Sequence, residues 1–188
     1  MIFREIRLRG AYLIEIEPHV DSRGFFARTW CRREFAACGL ETEFDQSSVS
    51  VSAERGTLRG LHYQRAPHSE VKLVSCVRGA IYDVIVDLRP GSATFRQWCA
   101  VELRGGSHRS LYVPPQFAHG FQTLENDTEV TYMISGLHEP AAAAGIRYDD
   151  PALSIDWPTT IRQISSRDRE WPPLVASEMS VTEASREH

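Results

Sequence analysis

Several polar side chains of types used in acid–base and anion-binding chemistry occur in this 188-residue sequence, some on otherwise apolar stretches. A histidine takes up a proton near neutral pH, and an aspartate bonded to its second ring nitrogen would fix its tautomer. A tyrosine stays protonated and can donate a proton, a lysine stabilises a developing oxyanion, and an arginine binds two phosphate oxygens at once. The candidates for these roles are His62, His119, Tyr132, Asp168, Lys72, Arg59 and Arg23.

The sequence around the two histidines differs from an ordinary strand interior. His62 lies in the stretch 56–64, which contains two glycines and Arg59, and His119 lies between a Pro-Pro turn and Gly120. Both stretches are typical of the mouth of a barrel. Taken singly, each candidate also has an ordinary structural explanation, because histidine and tyrosine pack in many strands and aspartate commonly caps turns.

The elements that must position these residues are predominantly strands. Strand-like runs recur at short intervals, and glycine-, proline- and asparagine-containing turns separate most of them, which predicts an antiparallel sandwich or barrel. The alternating helices of a parallel sheet are missing, as are the glycine-rich phosphate-binding loops of nucleotide-binding folds. The predicted strands are 12–17, 46–53, 60–63, 70–77, 80–88, 98–103, 110–113, 120–124 and 129–134, and the one predicted helix is 30–38.

Composition places the chain among ordinary globular proteins. Hydrophobic residues are 42%, the net charge is -4 and the isoelectric point is about 6.0, so a nucleic-acid-coating function is disfavoured. The sequence has no signal-peptide pattern and no apolar run long enough to cross a membrane. Four cysteines without CxxC spacing favour a reducing, cytoplasmic location. We predict a single domain over residues 1–172 and a partly disordered surface tail over 173–188.

A metal site is one alternative that the histidines raise. Glu70 with His62 and His119 would supply at most three ligands, because the His-x-His pair of many small metal-binding barrels is here His62-Tyr63-Gln64. We therefore expect no metal.

Seven stretches of the sequence together resemble one known family over most of the chain. The chain is similar to the dTDP-4-dehydrorhamnose 3,5-epimerase family, the epimerases of nucleotide-diphospho-4-keto-6-deoxysugars. The resemblance implies an all-β antiparallel cupin jelly-roll barrel with short peripheral helices. It also implies an isomerase that forms homodimers, binds a nucleotide-diphospho-sugar and needs no cofactor. The matching stretches are 21–26, 56–64, 70–74, 79–95, 112–121, 145–151 and 156–158.

The resemblance also implies individual roles. His62 matches the catalytic base, Asp168 the carboxylate paired with it, and Tyr132 the acid on the opposite face of the sugar. Lys72 matches a sugar contact placed to stabilise an enolate oxygen, and His119 matches a second sugar contact. The remaining positions implied to bind substrate, mainly its diphosphate and nucleotide, are Arg23, Phe26, Arg28, Gln46, Ser48, Arg59 and Arg167.

Four positions on the nucleotide side depart from the family pattern. Arg28 and Ala143 stand where the family usually has Glu, Arg167 replaces Lys, and Gln46-Ser47-Ser48 replaces Gln-Asp-Asn. Because Arg28 reverses a charge, we predict an altered base or sugar preference. Three further alternatives are an epimerase that inverts only C3 or only C5, a non-catalytic sugar-binding cupin and a metal-dependent cupin oxygenase.

Lysine usage singles out one of these residues. The chain has 21 basic residues, of which only Lys72 is lysine. A compact ammonium fits beside an enolate oxygen where a broad guanidinium does not. We therefore expect Lys72 to occupy a position at which arginine cannot replace it.

Overall fold

The computed structural model describes residues 1–174 as fourteen strands and two short helices. The strands are β1 Ile2–Glu5, β2 Tyr12–Glu15, β3 His19–Asp21, β4 Gly24–Phe26, β5 Gln46–Ser52, β6 Thr57–Gln64, β7 Lys72–Arg78, β8 Ala80–Asp87, β9 Trp98–Arg104, β10 Arg109–Val113, β11 Phe117–Thr123, β12 Thr128–Ile134, β13 Ala143–Gly145 and β14 Gln163–Ile164. The helices are α1 Arg32–Ala37 and α2 Ser166–Arg169.

Two large sheets and one hairpin contain all of these strands. The first sheet has the order β1-β2-β10-β7-β12-β5, and the second has the order β13-β6-β11-β8-β9. All pairings are antiparallel except that of β14, which runs parallel to β6. Strands β3 and β4 form a separate hairpin. The fold is therefore an all-β cupin-type barrel, as predicted.

Apolar side chains between the two sheets form the main core. Val74 on β7 and Leu111 on β10 pack there against Ile85 on β8 and Phe121 on β11, and all four are buried. Strand β8, with the sequence AIYDVIVD, lies between β11 and β9. Its nearly continuous apolar run reflects burial on both faces, since outward side chains also need cover.

The outer faces of both sheets are covered by other segments. Helix α1 places Phe35 on the first sheet, where it packs with Ile14 and Leu73. The segment that follows β13 covers the second sheet and contributes the buried side chains of Ile146 and Leu174. The segment between β13 and α2 is therefore held against the sheet that carries β6, and this contact positions α2 beside β6.

Two glycines allow strands β6 and β11 to approach closely at the site described below. A Cβ atom on Gly60 would lie 2.5 Å from the Gly120 Cα atom, and Gly60 also has a φ of +124°. Only glycine tolerates both this close approach and this positive φ. The two histidines His62 and His119 lie beside this contact as a register pair.

The predicted strands and the predicted helix agree in position with elements of the structure. Each predicted strand overlaps an observed one, and the predicted helix 30–38 contains α1. The short strands β1, β3, β4, β13 and β14 and helix α2 were not predicted. Most of the predicted tail, residues 175–188, lies outside the described residues, whereas Leu174 is buried. Within residues 1–174, no helix is long and apolar enough to span a membrane.

Candidate active site

A cavity of about 650 Å³ opens where strands β5 and β12 of the first sheet face β6 and β11 of the second. The segment 163–168, which includes β14 and the start of α2, completes its wall. Polar side chains from all of these elements line it, and among them are Ser48, Ser50, Arg59, His62, His119, Tyr132, Arg167 and Asp168. Seven of the twelve residues predicted for the site therefore share one cavity.

His62 and Asp168 form a hydrogen-bonded pair in this cavity. The His62 Nε2 atom lies 2.6 Å from Asp168 Oδ1, and the side chain of His62 is 45% exposed whereas that of Asp168 is only 7% exposed. When Nε2 carries the proton and donates it to the carboxylate, the lone pair resides on Nδ1. The arrangement gives a solvent-accessible imidazole whose tautomer is fixed by a buried carboxylate, and its role as the base stays a prediction.

The Asp168 carboxylate is held by its own helix and by β6. The Asp168 backbone N–H donates to Ser165 Oγ, the N-cap of α2, and the Gly60 N–H donates to Asp168 Oδ2 at 3.2 Å. Burial alone would raise the pKa of Asp168, but the bonds from His62 and Gly60 outweigh it and hold that pKa below its usual value. Asp168 is therefore a carboxylate that can stabilise the imidazolium form of His62.

Tyr132 reaches the same cavity from the opposite sheet. It lies on β12, paired with Ser48 of β5 on one side and with Val74 of β7 on the other. Its hydroxyl is 3.3 Å from Ser50 Oγ. Burial raises the pKa of Tyr132 well above its ordinary value, so the phenol keeps its proton at all physiological pH values. A base and a proton donor thus line one cavity from different sheets.

A second histidine–aspartate pair, which was not predicted, joins His119 of the cavity wall to Asp83 behind it. His119 Nε2 is 2.5 Å from Asp83 Oδ1, and both side chains are buried. The His119 ring also meets the Tyr132 ring edge-on, with centroids 6.3 Å apart. Within residues 1–174, Asp83 Oδ2 is buried without a hydrogen-bond partner. The available signal was an acidic residue within the apolar run of β8, since a buried carboxylate needs a partner.

Lys72 lies behind the base rather than on the cavity wall. Its Nζ atom is 2.7 Å from Glu70 Oε1 and 3.5 Å from the backbone carbonyl oxygen of His62. Both side chains of this ion pair are nearly buried, at 10% and 12% exposure. An ammonium has three protons to donate. Two of them are donated to Glu70 and to the His62 carbonyl oxygen. Because Lys72 does not line the cavity, its contact with the sugar stays a prediction.

Two arginines give the cavity its positive charge. Arg59 on β6 donates to Ser52 Oγ at 3.2 Å and to the Val51 carbonyl at 3.0 Å, which fixes its guanidinium beside β5. Arg167 lies at the start of α2, with its guanidinium carbon 4.9 Å from the centre of the Trp171 ring. Both side chains line the cavity and can donate paired hydrogen bonds to phosphate oxygens.

Four of the predicted substrate-binding residues do not line this cavity. Arg23 forms an ion pair with Asp21 within the β3–β4 hairpin, with an Nη2–Oδ2 distance of 2.6 Å. Phe26 and Arg28 line a second cavity of about 230 Å³ near the N-terminus, where Arg28 binds Glu34 at 3.1 Å. Gln46, at the start of β5, pairs in register with Ile134 on the cavity wall. Within one chain, the hairpin residues therefore do not reach His62.

The metal-ligand set considered from the sequence is not assembled. Glu70 binds Lys72, while His62 and His119 each bind an aspartate. Among residues 1–174, no group of three or more histidine, cysteine, aspartate or glutamate side chains could hold a metal ion.

Comparison with known proteins identifies the family of the chain. Residues 5–176 match the family described as dTDP-4-dehydrorhamnose 3,5-epimerase. A curated relative of that name from Methanothermobacter thermautotrophicus is 42% identical, with 92% of this chain and 94% of the relative covered. Since the match spans almost the whole of both chains, the shared family extends over the entire described fold.

Solved structures of similar proteins give the same result. A dTDP-4-dehydrorhamnose 3,5-epimerase from Bacillus anthracis with bound TDP and PPi is 41% identical, with a TM-score of 0.89 and coverage of 92% of this chain and 99% of the other. A 3'-monoepimerase from Streptomyces bikiniensis in complex with dTDP-quinovose is 34% identical, with a TM-score of 0.86 and coverage of 94% and 89%. With a fold and a sequence that both match these relatives, the chain belongs to the dTDP-4-dehydrorhamnose 3,5-epimerase family.

Proposed function

We propose that this protein is an isomerase that inverts C3 and C5 of a dTDP-linked 4-keto-6-deoxyhexose. The observation that carries the proposal is the placement of the His62–Asp168 pair and the Tyr132 hydroxyl on opposite sheets of one cavity. Inversion at carbon needs a base on one face of the sugar and a proton donor on the other. A cavity with this pair of groups and two phosphate-binding arginines fits a nucleotide-diphospho-sugar.

The reaction begins with proton removal next to the ketone. The C4 carbonyl acidifies the protons on C3 and C5, and His62 accepts one of them at Nδ1 while Asp168 stabilises the imidazolium. Negative charge then moves to the C4 oxygen and forms an enolate. The Lys72 ammonium, held by Glu70 behind His62, is the cation we assign to that oxygen.

Protonation of the enolate from the other face completes the inversion. Tyr132 donates its phenolic proton to the same carbon, which leaves a tyrosinate and an imidazolium. Burial strongly favours the neutral phenol, so Tyr132 regains a proton from solvent. His62 releases its proton to solvent, and the base and the donor are then both ready for the second carbon. One proton leaves and one arrives at each carbon, so substrate and product have the same oxidation state.

Product configuration tests this proposal. We expect ¹H NMR of dTDP-4-keto-6-deoxyglucose treated with the protein to show inversion at both C3 and C5. Inversion at one carbon only would identify a single-site epimerase, as in the Streptomyces bikiniensis relative. A substrate that binds but remains unchanged would identify a sugar-binding protein and overturn the proposal.

The base of the nucleotide requires a separate measurement. Arg28 and Ala143 replace acidic residues of the family pattern, and this change of charge is the ground for the alternative that the protein prefers another nucleotide to dTDP. Titration with dTDP, CDP, GDP and UDP by calorimetry gives the four dissociation constants directly. A preference other than dTDP would support the altered preference, whereas clear preference for dTDP would contradict it.

The single lysine of the chain carries a prediction about turnover. Lys72→Arg places a broader, planar cation in a nearly buried space that now holds a compact ammonium against Glu70. We expect kcat to fall by about tenfold or more, whereas KM changes by less than about threefold, because the enolate charge exists only after proton removal. Steady-state kinetics measures both constants. Wild-type turnover in this variant would remove Lys72 from the mechanism.

We also propose that the protein is a cytoplasmic homodimer. The β3–β4 hairpin exposes Val20, Phe25 and Phe26, with Phe26 75% exposed, and a second copy of the chain would cover these apolar side chains. All four cysteines are unpaired, which suits a reducing compartment. Sedimentation equilibrium should give twice the chain mass of 21.3 kDa, and Phe26→Ser should weaken the dimer. A monomer at micromolar concentration would contradict this prediction.

A further inference from the structure

Trp171 contacts the histidine–aspartate pair from outside the cavity. Its indole N–H donates to Asp168 Oδ1 at 3.3 Å, and the same oxygen accepts the 2.6 Å bond from His62 Nε2. The Trp171 and His62 rings also meet edge-on, with centroids 6.4 Å apart. One carboxylate oxygen is thus shared by the base and by an indole that follows α2.

The Trp171 indole packs against Gly145, which has no side chain. A Cβ atom on Gly145 would lie 2.3 to 2.5 Å from three atoms of the Trp171 ring, so any other residue at position 145 would displace the indole. Gly145 is the register partner of His62 in the β13–β6 ladder. The ring therefore rests on the backbone of the strand next to the base.

The face of the same indole supports a cavity residue. The Arg167 guanidinium carbon lies 4.9 Å from the ring centre, and Arg167 lines the cavity. A cation over an aromatic face is attracted by the ring quadrupole. One side chain therefore contacts the Asp168 carboxylate, the cavity arginine and the strand that pairs with β6.

We propose that Trp171 is a positioning residue for the His62–Asp168 pair, with its indole N–H fixing the Asp168 carboxylate and its ring holding Arg167 over the cavity. This inference rests on the proposed function only in taking His62 as the base. The Trp171 indole N–H is a second donor to Asp168 Oδ1. It therefore shares the negative charge with which the carboxylate stabilises the His62 imidazolium. Loss of that donor leaves more charge for His62.

Other charged or titratable groups also face His62, and they must stay in place for the effect of Trp171 to be isolated. They come from β6, β7, β8, β11, β12 and α2 and from the residues before β7. They are Asp168, Arg167, Arg59, Lys72 with its partner Glu70, His119 with its partner Asp83, and Tyr132. A replacement that keeps the ring at position 171 disturbs none of these contacts.

Trp171→Phe removes the N–H and keeps an aromatic ring on Gly145 and Arg167. We expect the midpoint of the NMR titration of the His62 imidazole to lie at higher pH in this variant than in the wild type, because the carboxylate then gives more of its negative charge to the imidazolium. The acidic limb of kcat/KM should move upward by the same amount, and kcat should fall about threefold to tenfold with KM almost unchanged. Trp157→Phe is the matched control, because it removes an indole N–H that binds the Tyr148 carbonyl at 2.9 Å.

A measurement on the wild-type protein covers the case in which the variant fails to fold. The chain has four tryptophans, and each gives one indole N–H resonance. We expect the Trp171 resonance to shift with the midpoint at which His62 titrates, and those of Trp98 and Trp157 to stay constant. A Trp171 resonance that is independent of pH would overturn the proposal, as would a Trp171→Phe variant with the pH profile and His62 pKa of the control.

The NMR titrations also separate this inference from the proposed function, since they require no substrate. A wild-type protein that leaves every nucleotide sugar unchanged would refute the proposed reaction. The coupling between Trp171 and His62 would then still be confirmed or refuted by the two titrations.

Discussion

Replacement of His62 by alanine is expected to abolish proton exchange at C3 and C5 while leaving nucleotide binding nearly intact. His62 is the accessible member of the pair with Asp168, and its side chain is 45% exposed in the cavity. General base catalysis by a positioned side chain contributes about 10² to 10⁴ in rate, so we expect a loss in that range. Solvent deuterium exchange followed by NMR measures this loss, and calorimetry with the nucleotide diphosphate measures the retained binding.

A matched histidine on the surface serves as the control for this prediction. His68 is exposed and lies only six residues further along the chain, and His68→Ala should exchange at the wild-type rate. Asp168→Asn should be nearly as inactive as His62→Ala, because an amide no longer fixes the tautomer or stabilises the imidazolium. Persistent exchange in His62→Ala, in a protein that unfolds at the wild-type temperature, would show that another group is the base.

Replacement of Tyr132 by phenylalanine is expected to separate exchange from inversion. The ring and its packing against His119 remain, but the only proton of the side chain that can reach the enolate is removed. His62 can still take a proton and return one from solvent to the same face. We therefore expect epimerisation to fall by about 10² to 10³-fold while deuterium enters the substrate with retained configuration.

Tyr112 provides the control for the loss of a tyrosine hydroxyl. It is buried outside the cavity, and its hydroxyl accepts a hydrogen bond from the Glu41 N–H at 3.1 Å. Tyr112→Phe should lower the free energy of unfolding by about 1 kcal/mol and leave turnover unchanged. Inversion at the wild-type rate in Tyr132→Phe would assign the proton donor to another group.

The parts of the fold that could be predicted are those with a repeating apolar pattern. Strand β8 is a nearly continuous apolar run, and its predicted bounds of 80–88 differ from the observed Ala80–Asp87 by one residue. Strands β13 and β14 have only three and two residues, too few for alternation to be visible. Their pairing with β6 depends on the chain folding back over the second sheet, which is a tertiary effect that local sequence does not contain.

The site was predictable where one residue type implies one role, and less so where a role depends on a neighbour. Histidine and tyrosine suggest acid–base chemistry from their side chains alone, and resemblance supplied Asp168 as the partner. Asp83 contacts His119 across the fold, so no local spacing marks it. Trp171 contacts Asp168 from three residues further along the chain, a spacing that is too common to mark a site. Only the acidic charge of Asp83 within an apolar strand was a usable signal.

Three residues in or just after the β3–β4 hairpin show a second limit of prediction from sequence. Arg23, Phe26 and Arg28 were predicted to bind substrate from resemblance, yet each lies outside the cavity that contains His62. Arg28 is held by Glu34 and Arg23 by Asp21 within the same chain. Their predicted role therefore depends on the proposed second copy of the chain. A contact between two copies cannot be inferred from the spacing of residues along one sequence.

Turnover of dTDP-4-keto-6-deoxyglucose in D₂O is the most direct test of proton transfer between the two faces of the sugar. With His62 removing a proton and Tyr132 supplying one that exchanges with solvent, each inverted carbon of the product should carry one deuterium. NMR of the product reads C3 and C5 separately, so configuration and isotope content are obtained together. Deuterium at both inverted carbons is the expected result, and inversion without deuterium would contradict an enolate protonated by Tyr132.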